Sequence, residues 1–140
     1  MIGIVVCGHG QFGSMMAGVV RLVIGMPKNF AYADYRQEDT ADDFEAHLNA
    51  AVQELEDDSE GILFFTDLSQ GTPFRTAVAL ANAHAERHII VLSGTTVGAL
   101  TETSIARGYI HDIEVLADLA VEHGKKEVMR TETHIEENQE

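Results

Sequence analysis

The feature that most constrains the fold is a fourfold alternation of short apolar runs with helical patterns. Runs rich in β-branched and aromatic residues lie at residues 2–7, 29–35, 61–66 and 88–92, and each is followed by apolar residues at helical spacing. Three of the runs contain almost no polar residue, which is typical of strands buried on both faces of a parallel sheet. The alternation therefore predicts an α/β fold, a doubly wound and mainly parallel four-stranded sheet flanked by helices.

Local signals predict where the later helices begin and end. Thr72 and Pro73 form a helix-start pair, with Thr72 expected as the N-cap and Pro73 as the first helical residue. The last helix is expected to begin after Asp112 and to end at Gly124. Beyond it, residues 126–131 alternate weakly and predict a short antiparallel strand at the edge of the sheet.

Two unusual polar segments are expected to meet at one edge of this sheet. In the strand order 2-1-3-4, the ligand crevice lies outside the carboxyl ends of the first and third strands, where the strand order reverses. The first strand is followed by Gly8-His9-Gly10, and the third by residues 67–73, with the sequence DLSQGTP. We therefore expect the functional site to lie between these two segments.

The composition excludes several classes of function. The 23 Asp and Glu against 9 Lys and Arg give a formal charge of −14, which makes nucleic acid and anionic membranes poor partners. The single cysteine, Cys7, excludes an intramolecular disulfide, and the other histidines lack metal-ligand spacing, so no metal or cofactor is expected. No signal-peptide pattern and no apolar stretch of roughly 18 residues is present, which predicts a cytoplasmic protein.

The acidic residues are unevenly distributed. The 140 residues fit one compact domain, expected over residues 1–133 with a polar tail at 134–140. Eleven Asp and Glu lie in residues 34–60, whereas residues 61–111 contain three, one of which is Asp67. Asp67 is therefore an isolated carboxylate next to the predicted site, and the acidic runs are expected to be solvated helix faces.

His9 and Asp67 are the candidate catalytic residues. His9 lies between two glycines in the loop after the first strand, next to the beginning of a helix that favours an anion. A neutral imidazole there is suited to nucleophilic attack on phosphorus. Asp67, at the same sheet edge, could accept the Nδ1–H of His9, leave Nε2 free to attack, and stabilise the positive ring that forms.

Two helix N-termini are the candidate phosphate-binding elements. Their free backbone N–H groups and positive dipole ends favour a bound phosphoryl group. The first is formed by Gly10, Gln11 and Phe12, and the second by Gly71 and Thr72, whose hydroxyl could also contact phosphate oxygens.

The residues alone leave a binding module open. Gly8, Gly10 and Gly13 satisfy the letters of the G-x-G-x-x-G dinucleotide pattern, and Asp34 at the end of the second strand could accept a ribose hydroxyl. His9 within that pattern argues against dinucleotide binding. A non-catalytic module that holds a nucleotide or another anion over residues 8–13 remains an alternative.

These motifs, in this order and spacing, resemble the enzyme IIA component of the mannose family of the bacterial phosphoenolpyruvate-dependent sugar phosphotransferase system. The resemblance covers nearly the whole chain and rests on Gly8-His9-Gly10, on Asp67-x-x-x-Gly71-Thr72-Pro73-Phe74 and on Ser93-Gly94.

The resemblance implies a phosphocarrier function. His9 would accept a phosphoryl group from phospho-HPr and pass it to a IIB component, with Asp67 orienting the ring and Thr72 touching the phosphate. Contact with the membrane would be indirect, through the sugar permease components. Family members are homodimers that exchange a C-terminal strand, which fits residues 126–131. A related IIA-like subunit that feeds a dihydroxyacetone kinase is a second alternative within the same fold.

The chain departs from the family pattern in two loops. Where the family reads Asp-x-x-Gly-Gly-(Ser/Thr)-Pro, this chain has Ser69 and Gln70, so that one glycine is missing. After the fourth strand, the family's Gly-Val-Asn-x-Pro is replaced by Gly94-Thr95-Thr96-Val97-Gly98. Neither departure changes His9 or Asp67.

Overall fold

The computed structural model describes residues 1–132 and confirms the predicted α/β fold. All strand pairs are parallel, in the order β2-β1-β3-β4. The elements are β1 (Gly3–His9), α1 (Phe12–Ile24), β2 (Phe30–Tyr35), α2 (Ala41–Gln53), β3 (Ile62–Thr66), α3 (Thr72–Ala83), β4 (Ile89–Leu92), α4 (Val97–Ala106) and α5 (Ile113–Glu127), with a 3₁₀ turn at Ala85–Arg87. Among the described residues, no helix is both long and apolar enough to cross a membrane.

Helices cover both faces of the sheet, because successive side chains of a strand point to opposite faces. On one face, Val5 and Phe64 belong to a buried cluster with side chains of α2 and α3 (Phe44, Leu48 and Ala77). On the other face, Val6 and Phe65 belong to a cluster with side chains of α1, α4 and α5 (Val20, Leu100 and Leu116). Burial of each large apolar side chain contributes about 2 kcal/mol. The carboxyl ends of β1 and β3 are thus held in place by packing on two sides.

The predicted strand at residues 126–131 is absent from the described chain, and the predicted end of the last helix at Gly124 is wrong. Helix α5 continues to Glu127, and residues 128–132 adopt no regular structure. A strand needs a neighbouring edge to pair with, whereas Lys125 and Lys126 in the last turn stabilise the negative end of a helix. Gly124 lies inside the helix, and a Cβ there would make only an ordinary contact, 3.7 Å from the Cβ of Ala99. The predicted tail, 134–140, lies outside the described residues.

The end of α5 lies against the beginning of α4. A Cβ on Gly98 would overlap the carboxylate of Glu127. The same carboxylate is 3.0 Å from Nε2 of His123, one turn earlier on α5. Gly98 is the position where the resembled family has proline, so this departure from the family pattern provides the space that Glu127 fills.

Arg107 fixes the opposite end of the sheet from the predicted site. Its side chain is buried, and its guanidinium donates to the backbone carbonyls of Ile2 (2.8 Å), Asn29 (2.7 Å) and Lys28. Burial lowers the pKa of Arg107 to about 10, with the charge of Glu56 opposing the shift, so the side chain remains cationic at neutral pH. The amino ends of β1 and β2 are therefore joined by one buried cation.

Candidate functional site

His9 is the last residue of β1, at the carboxyl edge of the sheet, and its side chain is 41% exposed. Glycine is required on either side of His9 for two different structural reasons. A Cβ on Gly8 would lie 2.6 Å from the ring of Phe12 and 2.8 Å from Cγ of Asp67. Gly10 has φ +62°, in the left-handed region, and its N–H donates to the carbonyl of Tyr35 at 2.7 Å. Together they let the chain turn tightly from the strand into α1.

Asp67 contacts the ring of His9, as the sequence predicts, and it also binds the His9 backbone. The backbone N–H of His9 donates to Oδ2 of Asp67 at 2.8 Å, and Nδ1 of the ring lies 2.8 Å from the same oxygen. An ionised carboxylate only accepts hydrogen bonds, so this contact requires a proton on Nδ1. In the neutral ring, Nε2 then carries the free lone pair.

The surroundings of Asp67 keep its carboxylate ionised. Burial would raise the pKa of this group, but the hydrogen bonds from the backbone and ring of His9, with a smaller effect of the adjacent backbone N–H of Leu68, outweigh it, and the pKa is lowered. The side chain is 12% exposed, so little water competes for the His9 contact. The backbone carbonyl of Asp67 accepts the N–H of Gly94 at 2.8 Å, which fastens the loop to the end of β4.

The N-terminus of α3 lies next to the reactive edge of the His9 ring. Gly71 is the N-cap of this helix, which corrects the prediction that Thr72 is the cap: Thr72 is already the first helical residue. A residue with a side chain, such as threonine, would not fit at the cap position, because a Cβ on Gly71 would be 2.7 Å from Cε1 of His9 and 3.4 Å from Nε2. Within residues 1–132, no side chain caps α3. The N–H of Gly71 donates to the carbonyl of Leu68 and Pro73 has none, so the N–H groups of Thr72 and Phe74 are the donors available to a ligand at Nε2.

Gln70 precedes this cap in a left-handed conformation, with φ +67°. It occupies the position where the resembled family has the first of its two glycines. The turn that brings Gly71 against His9 is thus retained without that glycine, at the expense of backbone strain in an exposed glutamine.

The N-terminus of α1 is the other element predicted to bind phosphate. Gln11 is its N-cap and makes no side-chain capping hydrogen bond, and Phe12 is its first residue. The carboxylate of Asp34 accepts the backbone N–H of Ser14 at 2.8 Å and the Ser14 hydroxyl at 2.6 Å. Asp34 is only 6% exposed. Both of its oxygens are engaged at the start of α1, so the proposed role of Asp34 as a ribose acceptor is not supported.

Tyr35 is a site residue that the sequence reasoning did not identify. The parallel register of β1 and β2 pairs it with His9, and the two ring centroids are 5.8 Å apart at an interplanar angle of 55°. Its ring also lies 5.5 Å from that of Phe44 in the core. The signal was present in the sequence, because residues that end neighbouring parallel strands share an edge.

The remaining side chains that could react or bind metal do not add a second reactive group to the site. Within residues 1–132, no group of three or more His, Cys, Asp or Glu residues is arranged to hold a metal ion. Burial, with a smaller contribution from the charge of Asp67, raises the pKa of the Cys7 thiol to about 12, so this cysteine is an inert core residue. The site can therefore present one nucleophilic nitrogen beside one carboxylate and the uncapped start of α3, whereas the first turn of α1 already binds the Asp34 carboxylate.

Comparison with known proteins gives a consistent result. The family model for the PTS system fructose IIA component, EIIA-man, matches residues 3–121. The mannose-specific EIIAB component of the phosphotransferase system from Escherichia coli K12 is 28% identical over 127 residues, as is that of Shigella flexneri. The alignment covers 91% of this chain but only 38% of the length of these curated relatives.

Solved structures share the fold over almost their whole length. A phosphotransferase system component EIIA from Streptococcus agalactiae is 25% identical, with a TM-score of 0.84 and coverage of 93% of this chain and 97% of that one. The mannose/sorbose-specific IIA subunit from Enterococcus faecalis is 18% identical, with a TM-score of 0.81 and coverage of 95% and 96%, and this similarity concerns the fold.

Proposed function

Because the chain belongs to the EIIA-man family of PTS fructose IIA components, we propose that it is a phosphocarrier of the sugar phosphotransferase system. His9 accepts a phosphoryl group from phospho-HPr and passes it to a IIB component. The observation that carries this proposal is the placement of Nε2 of His9, with its ring held by Asp67 and its free edge against the uncapped N-terminus of α3.

In the proposed transfer, the two ring nitrogens of His9 and the carboxylate of Asp67 have separate roles. Asp67 retains the proton on Nδ1, so the Nε2 lone pair attacks the phosphorus of the incoming phosphohistidine. The bond from Nε2 to phosphorus forms as the donor's nitrogen–phosphorus bond breaks, and the donor imidazole leaves with the electron pair. The His9 ring becomes positively charged, and the Asp67 carboxylate at 2.8 Å stabilises this charge. Transfer to IIB reverses the same steps.

The transferred phosphoryl group is proposed to lie between the two helix N-termini. At the start of α3 the N–H of Thr72 is free to bind it, and at the start of α1 those of Gln11 and Phe12 are free; the N–H groups of Gly71 and Gly10 donate to the carbonyls of Leu68 and Tyr35, so these two glycines contribute space for the phosphoryl group. Fixed backbone dipoles at such positions stabilise the charge that develops on the equatorial oxygens during transfer.

We further propose a single domain over residues 1–133 that forms a homodimer by exchanging the segment after α5. Three features of one surface support this. In the part of the chain that the structure describes, no strand pairs with the outer edge of β4, and Val128 and Met129 are 85% and 76% exposed at the end of α5. A cavity of about 310 Å³ lies next to the end of β4, lined by apolar side chains such as Phe65, Leu92 and Val121, by the loop at residues 93–95 and by α5. Residues 128–131 of a partner would pair with β4 there.

The test is phosphoryl transfer from radiolabelled phosphoenolpyruvate through purified enzyme I and HPr. The wild-type chain should become labelled only when HPr is present, and a IIB component should remove the label. His9→Ala should abolish labelling, whereas His84→Ala, at an exposed histidine on the end of α3, should leave it unchanged. Label on the His9 variant, or label that moves only to a dihydroxyacetone kinase, would overturn the proposed function.

A further inference from the structure

The aromatic ring of Tyr35 lies beside the His9 imidazole. The two ring centroids are 5.8 Å apart and the planes are tilted by 55°. Tyr35 is held on its other side by Phe44, a fully buried residue of α2, at 5.5 Å. The ring of Tyr35 is therefore fixed between the core and the nucleophile.

The attraction between the Tyr35 ring and the His9 imidazole depends on the charge of His9. A cation within about 6 Å of an aromatic centroid is attracted to the negative face of the ring. When Nε2 gains a phosphoryl group while Nδ1 keeps its proton, the His9 ring changes from neutral to cationic. The interaction with Tyr35 therefore strengthens only in the phosphorylated form, in parallel with the interaction with Asp67.

We infer that Tyr35 is a positioning residue, whose ring favours the phosphorylated state of His9 through contact with the cationic imidazole. The inference rests on the proposed function, because it concerns the same phosphohistidine. The phenol hydroxyl is not needed for this role. The stabilisation of phosphorylated His9 should therefore require an aromatic ring at position 35 and should be the same for tyrosine and phenylalanine.

The experiment measures the equilibrium constant for phosphoryl exchange between HPr and each variant. Tyr35→Met keeps an apolar side chain of adaptable shape but removes the ring, and is expected to lower the equilibrium constant about two- to fivefold, as for one exposed cation–π contact. Tyr35→Phe should restore the wild-type value. Tyr32→Met, at an exposed tyrosine of the same strand, is the matched control and should have no effect.

A second measurement does not depend on a folded variant. In the wild-type protein, nuclear Overhauser contacts between the Tyr35 and His9 rings should persist after phosphorylation. Loss of these contacts, or equal equilibrium constants for Tyr35→Met and Tyr35→Phe, would overturn the inference while leaving the phosphocarrier function intact. A wild-type chain that accepts no phosphoryl group would instead refute the proposed function itself.

Discussion

Gly71 and His9 are in such close contact that the helix cap has no room for a side chain. A Cβ at position 71 would be 2.7 Å from Cε1 of the imidazole, inside any normal carbon–carbon contact distance. Glycine at this position therefore sets how near the α3 N-terminus comes to Nε2. The distance between the nucleophile and the proposed phosphate site depends on this one residue.

Gly71→Ala is expected to displace the His9 ring and to slow phosphoryl transfer by about 10- to 100-fold, because small misplacements of reacting groups are costly. The rate is measured by rapid quench with phospho-HPr. Gly18→Ala is the matched control, since a Cβ there meets nothing within 4 Å. It should leave transfer unchanged and raise the free energy of unfolding by roughly 0.5–1 kcal/mol, as expected for alanine within a helix. Equal rates for both variants would contradict the role of Gly71.

Asp67→Asn is expected to slow transfer by about 100-fold or more while leaving the fold intact, because the amide does not stabilise the positive ring as a carboxylate does. The matched control is Asp118→Asn, on the exposed face of α5. Circular dichroism establishes that both variants are folded, and single-turnover kinetics measures the transfer. A wild-type rate in Asp67→Asn would remove the proposed role of this carboxylate.

The lowered pKa of Asp67 also predicts a pH dependence of stability. A carboxylate whose pKa is lower in the folded than in the unfolded chain stabilises the fold above the unfolded pKa, about 3.9, and this stabilisation is lost as the pH falls through the folded value. The difference in unfolding free energy between wild type and Asp67→Asn should therefore be greatest near neutral pH and shrink below about pH 4. Urea titrations across this range measure it, and a constant difference would contradict the expectation.

Gln70→Gly is expected to stabilise the protein by about 0.5–1 kcal/mol. Glutamine is strained at φ +67°, whereas glycine adopts this conformation freely. Ser69→Gly provides the comparison: Ser69 is not among the residues with positive φ, so glycine there should only add freedom to the unfolded chain and destabilise. Denaturant midpoints distinguish the two variants. If Gln70→Gly instead lowers the free energy of unfolding, the glutamine side chain stabilises the fold by more than its backbone strain costs.

The proposed dimer gives a prediction for the end of α5. Val128→Asp together with Met129→Asp should convert a dimer into a monomer, because charged side chains would face the apolar cavity beside β4. Sedimentation equilibrium measures the mass. Leu22→Asp, at an 88% exposed position on α1, is the control and should remain dimeric. If only the α1 variant dissociates, the interface lies on that helix instead.

The sequence was sufficient to predict the sheet and the meeting of His9 with Asp67. Both follow from the order of buried strands, because the residues that end neighbouring parallel strands share one edge. The contacts of Asp34 with Ser14 and of Gly71 with His9 depend on ångström-level packing between separate elements, and local propensities do not contain that information. The end of α5 is mispredicted because Gly124 is locally typical of a helix end, whereas the helix continues through it to Glu127, with Lys125 and Lys126 in its last turn.

The contact between Gly98 and Glu127 links two parts of the chain that a sequence comparison would treat as independent. A proline at position 98, as in the family pattern, would overlap the Glu127 carboxylate where it lies here, so this exposed side chain would have to turn away. It would then lose its contact with His123, one turn earlier on α5. The glycine after β4 thus decides whether the last turn of α5 can keep its glutamate over the start of α4.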